Sequence, residues 1–242
     1  MAELELVAGE GAPAGLATWR NRPTTLALLG YGFVALLVMA LLAFTFFQPI
    51  QVLPRIALGP GFAFVDQSGQ RLTNEDLRGH LVLYTFTYTN CQTPCPQTSQ
   101  TLRLVQQQLA QIDTRGLPVD LVTISFDPEH DTPTRLAAFA RQLGADLSNW
   151  HFVTGEPAAL KNVIGGSFGL YYNRNSDSTF TFDPAFVLVD GVGIIRATYR
   201  TADLDRAILQ RDLGLIANEA RNSQGAARFA YEAAHLFLCY PQ

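Results

Sequence analysis

An apolar run, His80-Leu81-Val82-Leu83-Tyr84, leads through Phe86-Thr87-Tyr88-Thr89-Asn90 into two cysteines four positions apart, Cys91 and Cys95. A helical pattern follows at once, and Pro96 suits the first helical position, where a missing N–H costs nothing. The spacing predicts a strand, a loop that carries Cys91, and a helix that opens at Cys95. Unpaired N–H groups and the helix dipole favour a thiolate at such a helix mouth. Two sulfurs one turn apart on a strand-to-helix turn can close a disulfide or hold one soft metal ion. The alternative is two small buried residues, since free cysteine is mostly inert core, but a pair at a helix start rarely is.

Composition narrows the setting. The chain has 242 residues, enough for one ordinary domain plus extras, with 48% hydrophobic residues and a formal net charge of -4. No basic patch is present, which argues against a nucleic-acid partner. Three cysteines are too few for a disulfide scaffold, and Cys239 is left over.

From Leu26 to Phe47 the chain is almost wholly apolar, about 22 residues, long enough to cross a bilayer core with some tilt. The run ends Phe46-Phe47-Gln48-Pro49, without the small-residue cleavage site of a secretory signal, so it reads as an uncleaved anchor. Arg20 and Arg22 precede it and Arg55 follows. The positive-inside rule then puts the N-terminus in the cytoplasm and the rest on the periplasmic or extracytoplasmic side of the cell (inner) membrane. That compartment is oxidising, and thiols there need a reductant or a metal to stay reduced.

The domain reading is a cytoplasmic tail (1–23), a transmembrane helix (24–47) and a linker (48–60). A thioredoxin-like domain (61–222) and an apolar C-terminal docking helix (223–242) follow. Phe62 to Val65 and Arg71-Leu72 read as a hairpin turned at Gly69. Thr73 to Gly79 reads as a short helical turn, and Leu81 to Tyr88 as the first central strand. Leu102, Val105, Leu109 and Ile112 line the helix after Cys95. Asp120 to Phe126 reads as a second buried strand, and Leu136, Phe139, Ala140 and Leu143 line the next helix. Phe152-Val153 is a short strand. Leu160, Val163 and Ile164 line a helix ended by Gly165-Gly166. Ala185 to Val189 and Gly193 to Tyr199 form a hairpin across Asp190-Gly191, and a last domain helix runs from Ala202 to Ala220. Strands alternating with helices, then an antiparallel pair, predict an α/β fold: a mixed sheet with helices on both faces, preceded by one N-terminal transmembrane helix. A dithiol turn after its first central strand is the thioredoxin arrangement. In the tail, Phe229, Ala233, Leu236 and Tyr240 share one helical face, to be buried on the chain's own domain or on another membrane subunit, with Cys239 an apolar residue there.

These residues resemble the Sco/SenC family of membrane-anchored, thioredoxin-like, copper-handling proteins. The resemblance rests on Thr89-Asn90-Cys91-Gln92-Thr93-Pro94-Cys95-Pro96, on Ser125-Phe126-Asp127-Pro128-Glu129-His130-Asp131-Thr132-Pro133 and on Trp150-His151-Phe152-Val153-Thr154-Gly155. It covers about residues 56 to 220. It implies a single copper ion on Cys91, Cys95 and one distant histidine, and a role in loading cytochrome c oxidase with copper or reducing its cysteines. Thiolates suit Cu(I), and an imidazole would complete three ligands. Here, however, the family's Asp-His before the late hairpin reads Asp183-Pro184, and Thr93 stands where an Asp is common between the cysteines. His80, His130, His151 and His235 are the histidines that remain. His130, after the second central strand, is the best substitute ligand, while His80 reads as structural and His151 as lying at the far end. Asp127, Glu129 and Asp131 read as loop and helix-capping chemistry rather than a hard-metal site, with Asp131 or Thr132 capping the helix at Pro133.

The expected function is therefore copper handling, thiol redox, or both, through Cys91 and Cys95, in contact with integral-membrane subunits of a respiratory complex. The expectation leans away from a turnover enzyme, with thiol-disulfide oxidoreductase as the enzymatic option kept open. The alternatives are a metal-free thiol-disulfide oxidoreductase and a stable accessory subunit of a quinol-oxidising or terminal oxidase complex with a vestigial copper site.

Overall fold

The computed structural model describes residues 24–47 and 50–237. The chain divides into two compact units, Met1–Phe47 and Gln48–Gln242. In the first, α1 spans Thr25–Phe47, and its stretch Thr25–Ala43 has a mean hydropathy of 2.5. Leu26, Leu29 and Met39 are among the large side chains exposed along it. A helix apolar on every side needs apolar surroundings, and at 1.5 Å per residue α1 exceeds the roughly 30 Å of a bilayer core. The expectations for residues 1–23 and for Leu238, Cys239 and Tyr240 lie outside the described residues.

The second unit runs β1 (Ala57–Leu58), β2 (Ala63–Asp66), β3 (Arg71–Thr73), β4 (Leu81–Thr87), α2 (Cys95–Gln108), β5 (Val119–Ser125), α3 (Pro133–Leu143), β6 (Trp150–Thr154) and α4 (Pro157–Leu160). It continues as β7 (Tyr172–Arg174), β8 (Phe180–Phe182), β9 (Phe186–Val189), β10 (Ile194–Tyr199), α5 (Arg206–Asn222) and α6 (Ala227–Phe237). The main sheet has the order β1-β10-β9-β4-β5-β6-β2-β3, with β4, β5 and β6 parallel and the remaining pairings antiparallel. This is the thioredoxin-like mixed sheet that the order of elements predicts.

Alternation along the strands sorts the core into two layers. Leu81, Leu83, Leu121, Trp150, Phe152 and Leu188 face α2, α3 and α5, which contribute Leu102, Val105, Leu136, Leu209 and Leu213. Val82, Tyr84, Phe86, Val122, Ile124 and Val153 face the other way, onto Leu160, Val163, Ile164 and Phe168. Each such side chain, once buried, contributes about 1.5–3 kcal/mol. Trp150 Nε1 donates to Thr123 Oγ1 at 2.9 Å, and Thr154 Oγ1 to the Ser125 carbonyl at 3.2 Å. Gly155 lies against Phe64, where an added Cβ would come within 2.5 Å of the ring. These contacts account for the Trp-x-x-x-Thr-Gly stretch as a packing motif.

Several elements differ from the sequence reading. The linker is partly structured: Val52 and Leu53 are fully buried, and Ala57–Leu58 adds a strand to the sheet edge against β10. Gly165-Gly166 does not end a helix but lies inside a π-helical segment, Lys161–Ser167, that continues α4. The domain's last helix starts at Arg206, not Ala202, because Asp205 caps it by accepting from the Ala207 N–H at 2.8 Å. A separate two-stranded ribbon, β7 with β8, was not expected.

A charged cluster ties the segment before β1 to α5 and α6. The Arg196 guanidinium, 2% exposed, donates to the Leu53 and Pro54 carbonyls, to Asp190 and to Glu219. Glu219 also accepts from Arg55 at 3.0 Å and pairs with His235 of α6 at 2.8 Å. Ala234 of α6 is buried, so α6 packs on its own domain, while Phe229 and Leu236 stay exposed. At the amino ends of the central strands, Asp120 sits between His80 and His151.

Burial alone would raise the pKa of Asp120 and Glu219. The His151 and His80 contacts to Asp120, and Arg196, His235 and Arg55 around Glu219, hold both carboxyls below their ordinary values instead. A carboxyl whose pKa is depressed on folding stabilises the fold above its unfolded value, about 4, and loses that contribution as pH falls through the acid range. The urea midpoint of the detergent-held chain should therefore drop between pH 7 and pH 3.5, and by less in Asp120→Asn. Equal drops would contradict this assignment. Arg196→Met should cost about 3 kcal/mol or more in the same unfolding assay, because it strands buried carboxylates. A change within 0.5 kcal/mol, roughly the scatter of surface substitutions, would show that the cluster is not structural.

Candidate functional site

β4 and β5 end side by side, with Thr87 in register with Ser125. The chain leaves β4 through Tyr88, turns, and enters α2 at Cys95. The Cys91 and Cys95 sulfurs are joined in a disulfide, with an S–S distance of 2.04 Å and Cα atoms 5.8 Å apart. Cys95 is 3% exposed, whereas Cys91 is only partly buried. Pro94 precedes α2 without a side-chain cap, and its carbonyl accepts from the Gln97 and Thr98 N–H groups. The first turn of α2 thus opens directly beneath the disulfide.

The turn is held by Asp131, a fully buried residue of the loop after β5. Its carboxylate accepts from the Thr89 N–H at 2.8 Å, from Thr89 Oγ1 and from Ser125 Oγ. Arg135 Nε adds a bond to Thr89 Oγ1 at 2.7 Å. Capping of α3 falls to Thr132, whose side chain accepts from the Arg135 N–H. The sequence left both residues as cap candidates; only one is needed, and the other reaches across to the cysteine loop. From behind, Tyr88 packs on Phe126 and Phe180 with ring centroids 5.5 and 5.0 Å away. Its hydroxyl accepts from the Phe180 N–H at 3.4 Å. The unexpected ribbon therefore backs the cysteine turn.

A cleft of about 260 Å³ opens in front of the disulfide, between α2 and α3. No histidine lines it. His130, the substitute ligand suggested by the sequence, is half exposed and directs Nδ1 to the buried Asp127 at 2.9 Å. His80 and His151 lie with Asp120 at the opposite end of the strands, and His235 lies on α6. Pro184 occupies the expected place of the family imidazole: Thr85 pairs with Phe186 in antiparallel register, so residues before Phe186 run toward the carboxyl end of β4. Its neighbour Asp183 faces Arg200 at 3.7 Å.

These residues fit a copper ion only in part. The disulfide form offers no thiolate. Opened, the pair supplies two soft donors, a set that suits Cu(I), but the structure brings no imidazole to the cleft. Asp127, Glu129 and His130 hold donor atoms within 4.8 Å of one another. Glu129 is paired to Arg174, His130 to Asp127, and Lys161 and Arg174 line the same recess, so the cluster is already charge-compensated. Asp131→Asn should cost about 2 kcal/mol in urea unfolding, because it removes a charged acceptor shared by buried donors. A loss below 0.5 kcal/mol, roughly what a surface change costs, would contradict the tethering role.

The profile of the SCO1/SenC family matches residues 51–216. The SCO1 protein homolog of Bacillus subtilis is 34% identical over 94 residues, covering 39% of this chain and 47% of that protein. The chain spans about half the length of the curated relatives it matches. Among solved structures, BsSco, described as a member of the Sco family of cytochrome c oxidase assembly proteins with a disulfide switch, superposes with a TM-score of 0.61 at 25% identity, covering 69% of this chain and 98% of that one. Copper-bound ScoI of Bradyrhizobium japonicum superposes with a TM-score of 0.51 at 26% identity, covering 66% and 99%.

Proposed function

The chain belongs to the SCO1/SenC family, and we propose that it serves the assembly of a respiratory terminal oxidase through the Cys91–Cys95 pair. On this reading α1 anchors the chain in the cell (inner) membrane, with the N-terminus cytoplasmic and the domain on the outer side. The observation that carries the proposal is a disulfide at the opening of a helix, with Cys95 buried and Cys91 only partly so, facing a cleft. Relatives described as oxidase-assembly proteins and as copper-bound support it.

The asymmetry of the pair sets the direction of exchange. An incoming thiolate attacks Sγ of Cys91, the less buried cysteine, and the S–S bond breaks. Its electron pair leaves on Cys95 Sγ, where the positive end of the α2 dipole favours the anion. A second client thiol then displaces Cys91, leaving the client oxidised and the pair reduced; the reverse sequence reduces a client disulfide. In the reduced state the two thiolates can carry Cu(I) as cargo.

Titration of the reduced full-length chain with Cu(I) against a competing chelator tests this reading. A single ion should bind, about a hundredfold or more weaker in Cys91→Ser or Cys95→Ser. Cu(II), which needs the missing imidazole, should gain affinity in Pro184→His. Cu(I) binding untouched by both serine variants would remove copper from the function. Loss of cargo binding together with a disulfide that thiols cannot open would leave an accessory subunit without chemistry.

A further inference from the structure

We infer that the cleft beside the disulfide is a docking groove for an extended client segment carrying a cysteine and, three to four residues away, an acidic side chain read by Arg103. The inference rests on the exchange reading above and adds its specificity.

The cleft starts at Cys91 and Cys95 and runs along α2, with Tyr88, Phe139 and Leu143 as its apolar walls. Ser99, Gln100 and Gln142 supply polar groups. Among the described residues, Arg103 is the one charged residue lining it, and no carboxylate does. The Arg103 side chain is exposed and reaches toward Gly144 at the carboxyl end of α3. Among the described residues it has no hydrogen bond or ion pair, whereas Arg135, Arg174 and Arg200 are each held by a partner. A lone cation at the far end of an apolar groove complements a negative charge.

The spacing follows from helix geometry. Arg103 lies eight residues beyond Cys95 on one helix, about 12 Å along its axis. An extended chain advances about 3.4 Å per residue, so, counted from the Cys95 end of the disulfide, a client whose cysteine meets the pair would bring a side chain about three to four positions away to the level of Arg103. Neither Cys91 nor Cys95 needs to move for this approach, because both line the groove.

The test uses the oxidised full-length chain in detergent and two synthetic peptides. Each carries one cysteine, with Glu or Lys four positions from it and the rest identical. The measured quantity is the rate at which each opens the Cys91–Cys95 disulfide, with dithiothreitol as a control thiol that carries no Glu or Lys side chain to be read. At low salt the Glu peptide should react about three-fold faster than the Lys peptide, and the gap should close near 1 M salt. Arg103→Gln should abolish the preference and Arg103→Glu invert it, with the dithiothreitol rate unchanged in both. Equal rates for the two peptides, or a preference that survives Arg103→Glu, would overturn the groove and leave the exchange chemistry standing. A disulfide that dithiothreitol cannot open would overturn the exchange reading itself, and the groove with it.

Discussion

All seven residues of β4 are buried, and a strand without a solvent face must be covered on both sides at once. That requirement produces the layers: α2, α3 and α5 on one face, α4 with its π-helical continuation and the β7–β8 ribbon on the other. It also fixes where chemistry can sit. A buried strand has no room for reactive groups along its length, so they collect at its carboxyl end, where the backbone leaves the sheet. Cys91 and Cys95 occupy that exit. The exit is kept in place by a carboxylate from the neighbouring strand's loop, Asp131, bonded to the backbone of Thr89. Packing, sheet register and the position of two sulfurs are one connected consequence.

The two ends of the sheet carry different kinds of polar chemistry. At the carboxyl ends lie the disulfide and a cleft lined, among the described residues, by a single cation. At the amino ends, Asp120 lies between two imidazoles, and on β10 Arg196 gathers Asp190, Glu219 and the carbonyls of Leu53 and Pro54. These latter groups satisfy one another and bind the chain segment that follows α1 to the body of the domain. They hold structure, and the sulfurs are left to react.

Much of this was legible in the sequence because it is local. The apolar run ending at Cys91, the 3.6-residue spacing of Leu102 and Val105, and the Gly69 hairpin each declare themselves within a dozen residues. What escaped was non-local or weakly patterned. Two-residue β1 has no periodicity to detect. The β7–β8 ribbon turns through polar residues, with Ser178 rather than a glycine at positive φ. Asp131 looked like a cap because Thr132-Pro133 follows it, and only the fold reveals that Thr89 lies within reach. The Glu219 cluster joins residues more than 160 positions apart, beyond any window.

The central claim is that Cys91 and Cys95 form a working pair and not a structural staple. Equilibrating the full-length chain with glutathione and dithiothreitol buffers, then trapping free thiols, gives the reduction potential of the pair. The account predicts reversible opening at a potential above about −300 mV, within reach of physiological thiols. A value well below that would mark the bond as a permanent crosslink and contradict the account.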